Sequence, residues 1–253
     1  MGESKRRNLA AQVQTRLDRP HCPVHPSIAQ IEAPARIRRL RLDHRGFPVP
    51  WFVAWINGQA DHRIVDTRKL EPAIKQRLCW TCGEPLGKTY AFVIGPMCAV
   101  NRVISEPPSH RECAEYAARA CPFLSRPDMH RRTAGMPDID LTFAAGNGLK
   151  RNPGVTCLWI TRSYKPFRVP GNSHGNAGIL FELGPPIETV WYALGRRASH
   201  QEVASALYSG LPALIETAHE EGREAEDALA GMVAAAMPLL PQAQAELGPM
   251  AAS

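Results

Sequence analysis

The sequence lacks any long apolar run, and aromatic side chains make up only 7% of its 253 residues. No stretch approaches the about 18 consecutive apolar residues that a membrane span needs, and residues 1–20 contain no apolar signal-peptide core. We therefore expect a cytoplasmic protein without a membrane partner. Phosphate-loop and paired-carboxylate motifs are also missing, and we assign no catalytic residue and no organic cofactor.

The cysteines are neither even in number nor regularly spaced. The chain has seven cysteines at uneven spacing, which does not fit a secreted disulfide framework in a chain of this length. Thiols in a reducing compartment stay free to bind metal. The remaining composition, 44% apolar and 21% charged, is that of a globular protein able to bury a core.

The segment 79–121 contains two pairs of metal-binding residue types. Cys79 and Cys82 form a C-x2-C pair followed by Gly83, a spacing that lets two thiolates bind one tetrahedral metal at about 2.3 Å. His110 and Cys113 form the second pair. We predict that these four residues bind Zn²⁺ and that, with all four positions filled, the metal is structural.

Ser109 and Glu112 predict a capping box that begins a helix, with His110 and Cys113 in its first turn. A hairpin is expected between the two pairs, from residues 90–94 and 99–104 around Gly95-Pro96. A knuckle, a hairpin and a helix that carries the second pair resemble a treble-clef zinc finger. The resemblance covers about 45 residues and implies a structural zinc ion.

Two points about the ligands stay open. Cys98 could replace His110 in the site, and Cys22 with His25 could form part of a second metal site. Cys121 lies about 12 Å along a helix from Cys113 and is too far to share the ion. The whole chain is also similar to bacterial and phage proteins that have no known activity.

Charge is unevenly distributed along a chain whose net charge is +6. Residues 1–45 carry ten Lys or Arg against four Asp or Glu, whereas residues 200–253 carry one against eight. A basic front can contact a polyanion, although an ordinary solvated surface is the alternative. We predict nucleic-acid contact through five arginines in or beside a strand: Arg36, Arg38, Arg39, Arg41 and Arg45.

Turn signals and periodicity predict an α+β fold with small mixed or antiparallel sheets and a helical carboxyl-terminal region. Asn57-Gly58 predicts a hairpin of strands 51–56 and 62–65, with Trp51, Val53 and Trp55 on one face. A short helix is expected over 72–78. Later strands are expected at 155–164, 178–183 and 188–194, followed by a Ser199-capped helix to 208 and an acidic helix over 212–236 broken near Gly222.

Composition divides the chain into five segments. A flexible or helical arm (1–20) precedes a β-hairpin and zinc-finger domain (21–121), a connector (122–154), an α+β domain (155–237) and a flexible tail (238–253). The predicted function is a zinc-stabilised binding protein that contacts nucleic acid. The alternatives are a protein-interaction or virion-associated structural module, and a metal-dependent hydrolase or nuclease.

Overall fold

The computed structural model describes residue 28 and residues 30–125, 154–171 and 177–242. In chain order the elements are α1 (Ala35–Arg38), β1 (Val53–Ile56), β2 (Gln59–Val65), α2 (Leu70–Lys75), β3 (Tyr90–Ile94), α3 (Pro96–Asn101), β4 (Val103–Ile104), α4 (Arg111–Ala120), α5 (Pro122–Ser125), β5 (Thr156–Thr161), β6 (Tyr164–Val169), β7 (Gly178–Leu183), β8 (Pro186–Ala193), β9 (Arg196–Arg197), α6 (His200–Glu221) and α7 (Arg223–Ala236).

The described strands form three small antiparallel sheets. One is the hairpin β1-β2, the second has the order β3-β5-β8-β9, and the third has the order β4-β7-β6. The prediction of a mixed helical and antiparallel fold with a helical carboxyl-terminal region is confirmed. Segments 1–27 and 126–153, which include the arm and most of the connector, lie outside the described residues.

Strand β5 is the centre of the largest sheet. It pairs with β3 on one side and β8 on the other, and all six of its residues are buried. On one face, Trp159 packs in a core with Phe92, Phe181 and Leu207. On the other face, Leu158 belongs to a cluster with small residues of α4. The sheet that contains β3 and the sheet that contains β4 each combine strands from both sides of the predicted connector, residues 122–154.

The Asn57-Gly58 hairpin is confirmed. Both residues have positive φ, 49° and 78°, the conformation that a two-residue hairpin turn requires. Of the three apolar residues expected on one face, only Val53 is buried. Trp51 precedes the strand, and Trp55 is half-buried beneath the Arg41 guanidinium, 3.7 Å from the ring centroid.

Two expectations about strands are wrong. Residues 36–42, which contain four of the arginines expected in or beside a strand, begin with the helical turn α1, and this turn buries Ile37 while Arg36 and Arg38 point outward. Residues 99–104 do not return to β3, because Pro96 starts α3 and the short β4 pairs with β7. The hairpin expected between the two ligand pairs therefore does not form.

The carboxyl-terminal helices follow the prediction with changed boundaries. The Ser199 capping box is confirmed, and Gly222, with φ +100°, separates α6 from α7. However, α6 continues through Pro212 to Glu221 instead of ending near Tyr208. The chain then stays packed beyond residue 237, because the Trp191 indole N–H donates to the Leu239 carbonyl at 2.8 Å.

Two further elements differ from the sequence-based expectations. The helix expected over 72–78 runs from Leu70 to Lys75, and the strand expected over 155–164 is divided into β5 and β6 by a turn at Arg162. No helix within the described ranges is both long and apolar enough to span a bilayer.

The capping box gives a stability prediction. Ser199→Ala removes the Oγ that accepts the Glu202 backbone N–H at 3.3 Å, so it should cost about 1 kcal/mol of unfolding free energy. Ser209→Ala, inside the same helix, is the control and should change stability by less than about 0.5 kcal/mol. Equal effects of the two substitutions in denaturant unfolding would contradict the capping role.

Candidate metal centre

A tight backbone turn presents the first pair of ligands. The Cys79 N–H donates to the Glu84 carbonyl and the Gly83 N–H donates to the Cys79 carbonyl, both at 2.8 Å. Gly83 has φ +76°, and a Cβ there would lie 2.7 Å from Cγ of Trp51. Glycine is therefore required both by the turn and by the ring that packs on it.

The second pair lies at the start of α4, but not through the predicted capping box. His110 is the N-cap residue and Cys113 is the third helical residue, and no side chain caps this helix. Ser109 is buried instead, and its Oγ lies 2.8 Å from Oγ1 of Thr81 and accepts the Thr81 N–H at 3.3 Å. The predicted Ser109 and Glu112 capping box is wrong, because the Ser109 hydroxyl hydrogen-bonds to Thr81, 28 residues away in sequence, and not to the helix.

Backbone hydrogen bonds hold the two pairs together. The Trp80 N–H donates to the Pro108 carbonyl at 3.0 Å, and Ala91 and Ser109 exchange two bonds at 3.0 and 2.8 Å. The turn that carries Cys79 is thus attached to the residues just before α4, and both are attached to β3.

The four predicted ligands come together. One possible ligand atom from each of Cys79, Cys82, His110 and Cys113 lies within 4.8 Å of the other three. Nδ1 of His110 is 3.4 Å from Sγ of Cys82 and 4.0 Å from Sγ of Cys113. A tetrahedral zinc ion bound to nitrogen and sulfur separates such atoms by about 3.6 Å, so the cluster has the size that this metal requires.

A hydrogen bond fixes the tautomer of His110. Its Nε2 lies 3.0 Å from the Pro85 carbonyl, which can only accept, so Nε2 carries the proton and donates. Nδ1 is then unprotonated in the neutral ring and faces the sulfur atoms. A ring nitrogen that donates to a backbone carbonyl while the other binds metal is the usual arrangement of a histidine ligand.

Hydrogen bonding favours a thiolate at Cys79, although burial opposes it. The side chains of Cys79 and Cys113 are completely buried. Hydrogen bonds from Cys113 and Cys82 lower the pKa of the Cys79 thiol, while the bond to Cys79 raises the pKa of Cys113. The backbone N–H groups of His110 and Cys82 also donate to Sγ of Cys79, at 3.3 and 3.4 Å.

Helix α1 covers the cluster. Ile37 packs with Cys79 and Cys113, and Leu40, Leu86 and Tyr116 lie around them. On the outside, Arg36 forms ion pairs with Glu84 and Glu112, and Arg39 pairs with Glu84 at 2.5 Å. Two of the arginines predicted to contact nucleic acid, Arg36 and Arg39, therefore lie beside the metal cluster and hold carboxylates of this protein.

The other predicted arginines also have contacts within the chain. Arg38 donates to the Ala33 carbonyl at 2.6 Å, and Arg41 lies over Trp55. Arg45 donates to the buried Asp43 carboxylate at 2.8 and 3.0 Å.

The Asp43 carboxylate is part of a separate polar network. Burial alone would raise the pKa of Asp43, but hydrogen bonds from the Phe47 N–H and from Arg45 hold it below its ordinary value. Nε2 of His62 lies 3.3 Å from the same carboxylate, and burial lowers the pKa of that imidazole. Asp43 and His62 do not belong to the metal cluster found in the described part of the chain.

The remaining cysteines lie elsewhere. Cys98 is on α3 and Cys121 follows α4, and neither is part of the cluster, which contains His110. Cys157 is a buried residue inside β5. Cys22 and His25 fall outside the described residues, so the second predicted metal site is not described.

Comparisons with protein-family models, curated proteins and solved structures find no match to this chain. The resemblance to a treble clef is supported at the ligand cluster and not at the hairpin, and no match supports a bacterial or phage family.

The buried Ser109 hydroxyl gives the prediction for this site. Ser109→Ala leaves Oγ1 and N–H of Thr81 without this partner, so it should cost about 1–3 kcal/mol of unfolding free energy. Glu112→Gln is the control. It breaks only an exposed ion pair and should cost less than about 1 kcal/mol. Equal losses in thermal unfolding would instead support the capping box.

Proposed function

We propose that the protein is a zinc-stabilised binding protein in which the metal has a structural role and nucleic acid is the partner. The observation that carries the metal assignment is the convergence of three thiols and one oriented imidazole nitrogen within 4.8 Å. Three thiolates and one imidazole are a ligand set that zinc prefers, and they fill its tetrahedral coordination.

The number of ligands separates a structural from a catalytic zinc ion. A catalytic zinc ion keeps one position open for water or substrate, whereas this cluster offers four protein ligands. Cys79 and Cys113 are also buried beneath α1, which limits the approach of a substrate. A metal-dependent hydrolase or nuclease is therefore the weaker assignment.

The excess of positive charge supports a nucleic-acid partner. The net charge is +6 although the last 54 residues are acidic, so the rest of the chain is strongly basic. Arg36, Arg39 and Arg45 already hold carboxylates, and phosphates would have to compete with them. We assign the partner to the basic surface as a whole, in the cytoplasm, where thiolate ligands stay reduced.

A protein-interaction module is the second candidate, including a structural role in a virion. Tyr208 and Ile215 are 59% and 54% exposed and lie seven residues apart on one side of α6. Exposed large apolar side chains on one helix face are typical of surfaces that bind another protein.

The metal assignment predicts one zinc ion per chain. Cys82→Ser and His110→Ala should each lower the zinc content and the unfolding temperature, because each removes one of four ligands. Cys98→Ser is the matched control and should keep a full zinc equivalent. Elemental analysis checks this, and a folded, metal-free parent protein would remove the assignment.

The nucleic-acid assignment predicts salt-sensitive binding. The zinc-loaded protein should bind labelled DNA or RNA of unrelated sequences with similar affinity. Because binding through phosphates releases counterions, this affinity should fall steeply between about 50 and 200 mM salt. Fluorescence anisotropy measures this. Absence of binding at the lower salt concentration would favour the protein-interaction module.

A further inference from the structure

Several exposed basic residues of the described chain have no carboxylate partner. Arginines elsewhere form ion pairs, for example Arg111 with Glu188 and Arg196 with Glu202. Within the described residues, no carboxylate oxygen lies within 4.0 Å of the basic groups of four exposed residues, which we call the basic edge: Arg77, Lys88, Arg162 and Arg168.

Arg77 and Lys88 are brought together by the segment that leads into β3. The Leu86 N–H donates to the Arg77 carbonyl at 2.8 Å, and Lys88 lies two residues further on. The Arg77 guanidinium is 5.2 Å from the centre of the Tyr90 ring. Arg77 therefore lies at the amino-terminal end of β3, beside the loop that contains Lys88.

The pairing of β3 with β5 places Arg162 at the same end of the sheet. Tyr90 is opposite Thr161, so the next residues in this register, Thr89 and Arg162, face each other. Lys88 adjoins Thr89. The turn that contains Arg162 therefore lies next to the loop that contains Lys88.

Strand β6 adds the fourth cation. Its first residue, Tyr164, packs edge-on against Tyr90 with ring centroids 4.8 Å apart, so β6 begins over the end of β3 that Arg77 contacts. Arg168 lies on the same face of β6 as Tyr164, because the two residues are four apart in a strand. Arg168 also lowers the pKa of Glu71 on α2, although Lys75 has the larger effect.

We infer, on the basis of the nucleic-acid function proposed above, that the basic edge binds the phosphate backbone. Arg77, Lys88 and Arg162 lie at one end of the β3-β5 pair, and Arg168 lies further along β6, where it interacts with Glu71. Four exposed cations from three chain segments make this part of the surface positively charged. Lysine and arginine side chains on such a surface neutralise phosphates without reading bases.

Two features favour nucleic acid over an acidic peptide. Pro166 interrupts the edge strand β6 with a residue that has no N–H, which limits the addition of a peptide strand. None of the large exposed apolar residues of the described chain, including Tyr208 and Ile215, lies in the segments 77–90 and 161–169 that carry the basic edge. A surface of cations without an apolar anchor fits a charged backbone better than a folded peptide.

The test compares two sets of four charge-neutralising substitutions in the zinc-loaded protein. The first set replaces the basic edge with glutamine. The second, called the metal-site variant, replaces four arginines in or just after α1, the helix that covers the metal cluster: Arg36, Arg38, Arg39 and Arg41. Both sets remove four positive charges, so a general effect of net charge acts equally on both. Anisotropy with labelled double-stranded DNA and RNA is measured at several salt concentrations, with polyglutamate as the acidic competitor.

We expect the basic-edge variant to lose at least about tenfold in affinity at low salt. The slope of log affinity against log salt concentration should become shallower by roughly one unit for each phosphate contact removed. The metal-site variant should lose less. If Arg77→Gln unfolds the protein, the triple variant that keeps Arg77 gives the same comparison, with zinc content and thermal unfolding as checks on folding.

Other outcomes overturn the inference in distinguishable ways. If the parent binds nucleic acid and only the metal-site variant loses affinity, the basic edge is wrong while the nucleic-acid function remains. If the parent binds polyglutamate but neither DNA nor RNA, both the basic edge as a phosphate site and the nucleic-acid function are wrong. Equal losses in the two variants would show that net charge, not this surface, controls binding.

Discussion

The convergence of three thiols and one imidazole is the constraint on which the neighbouring structure depends. Bringing thiolates this close is unfavourable without a cation, because each negative charge repels the next. The hydrogen bonds among Cys79, Cys82 and Cys113 reduce the repulsion by sharing protons, and a bound zinc ion would remove it by displacing them. The cluster also joins the turn that carries Cys79 and Cys82 to α4, and α4 in turn covers one face of the central sheet.

That these four residues lie together could be predicted from the sequence, because each pair is local. A C-x2-C turn and a His-x2-Cys pair at a helix start present their side chains through short-range geometry. The features that complete the site are not local. Ser109 bonds to Thr81, 28 residues away, and His110 donates to the Pro85 carbonyl, 25 residues away. Local pattern therefore identified the residues that cluster but gave Ser109 the wrong partner.

The same limit explains the errors in the fold and in the charged surface. The turn at Asn57-Gly58 was predictable, because positive φ at both positions is encoded by the two residues themselves. The strand that pairs with β3 was not predictable. The apolar segment 99–104, which is close in sequence, was a plausible partner, whereas the actual partner β5 follows more than 60 residues later. The sequence shows where the arginines are, but it does not show that Glu84, more than 40 residues away, pairs with Arg36 and Arg39.

The pairing of β3 with β5 also bears on how the chain folds during synthesis. All four residues of the candidate metal cluster leave the ribosome before β5 exists, so a metal ion bound by them would close this site early, while β3 still lacks a neighbouring strand. Until β5 arrives, Phe92 and Ile94 on β3 have no cover from Trp159, and the open edge of β3 can pair with another chain. Slow synthesis of the intervening segment would prolong that exposure, whereas early metal binding would keep at least the knuckle and α4 together.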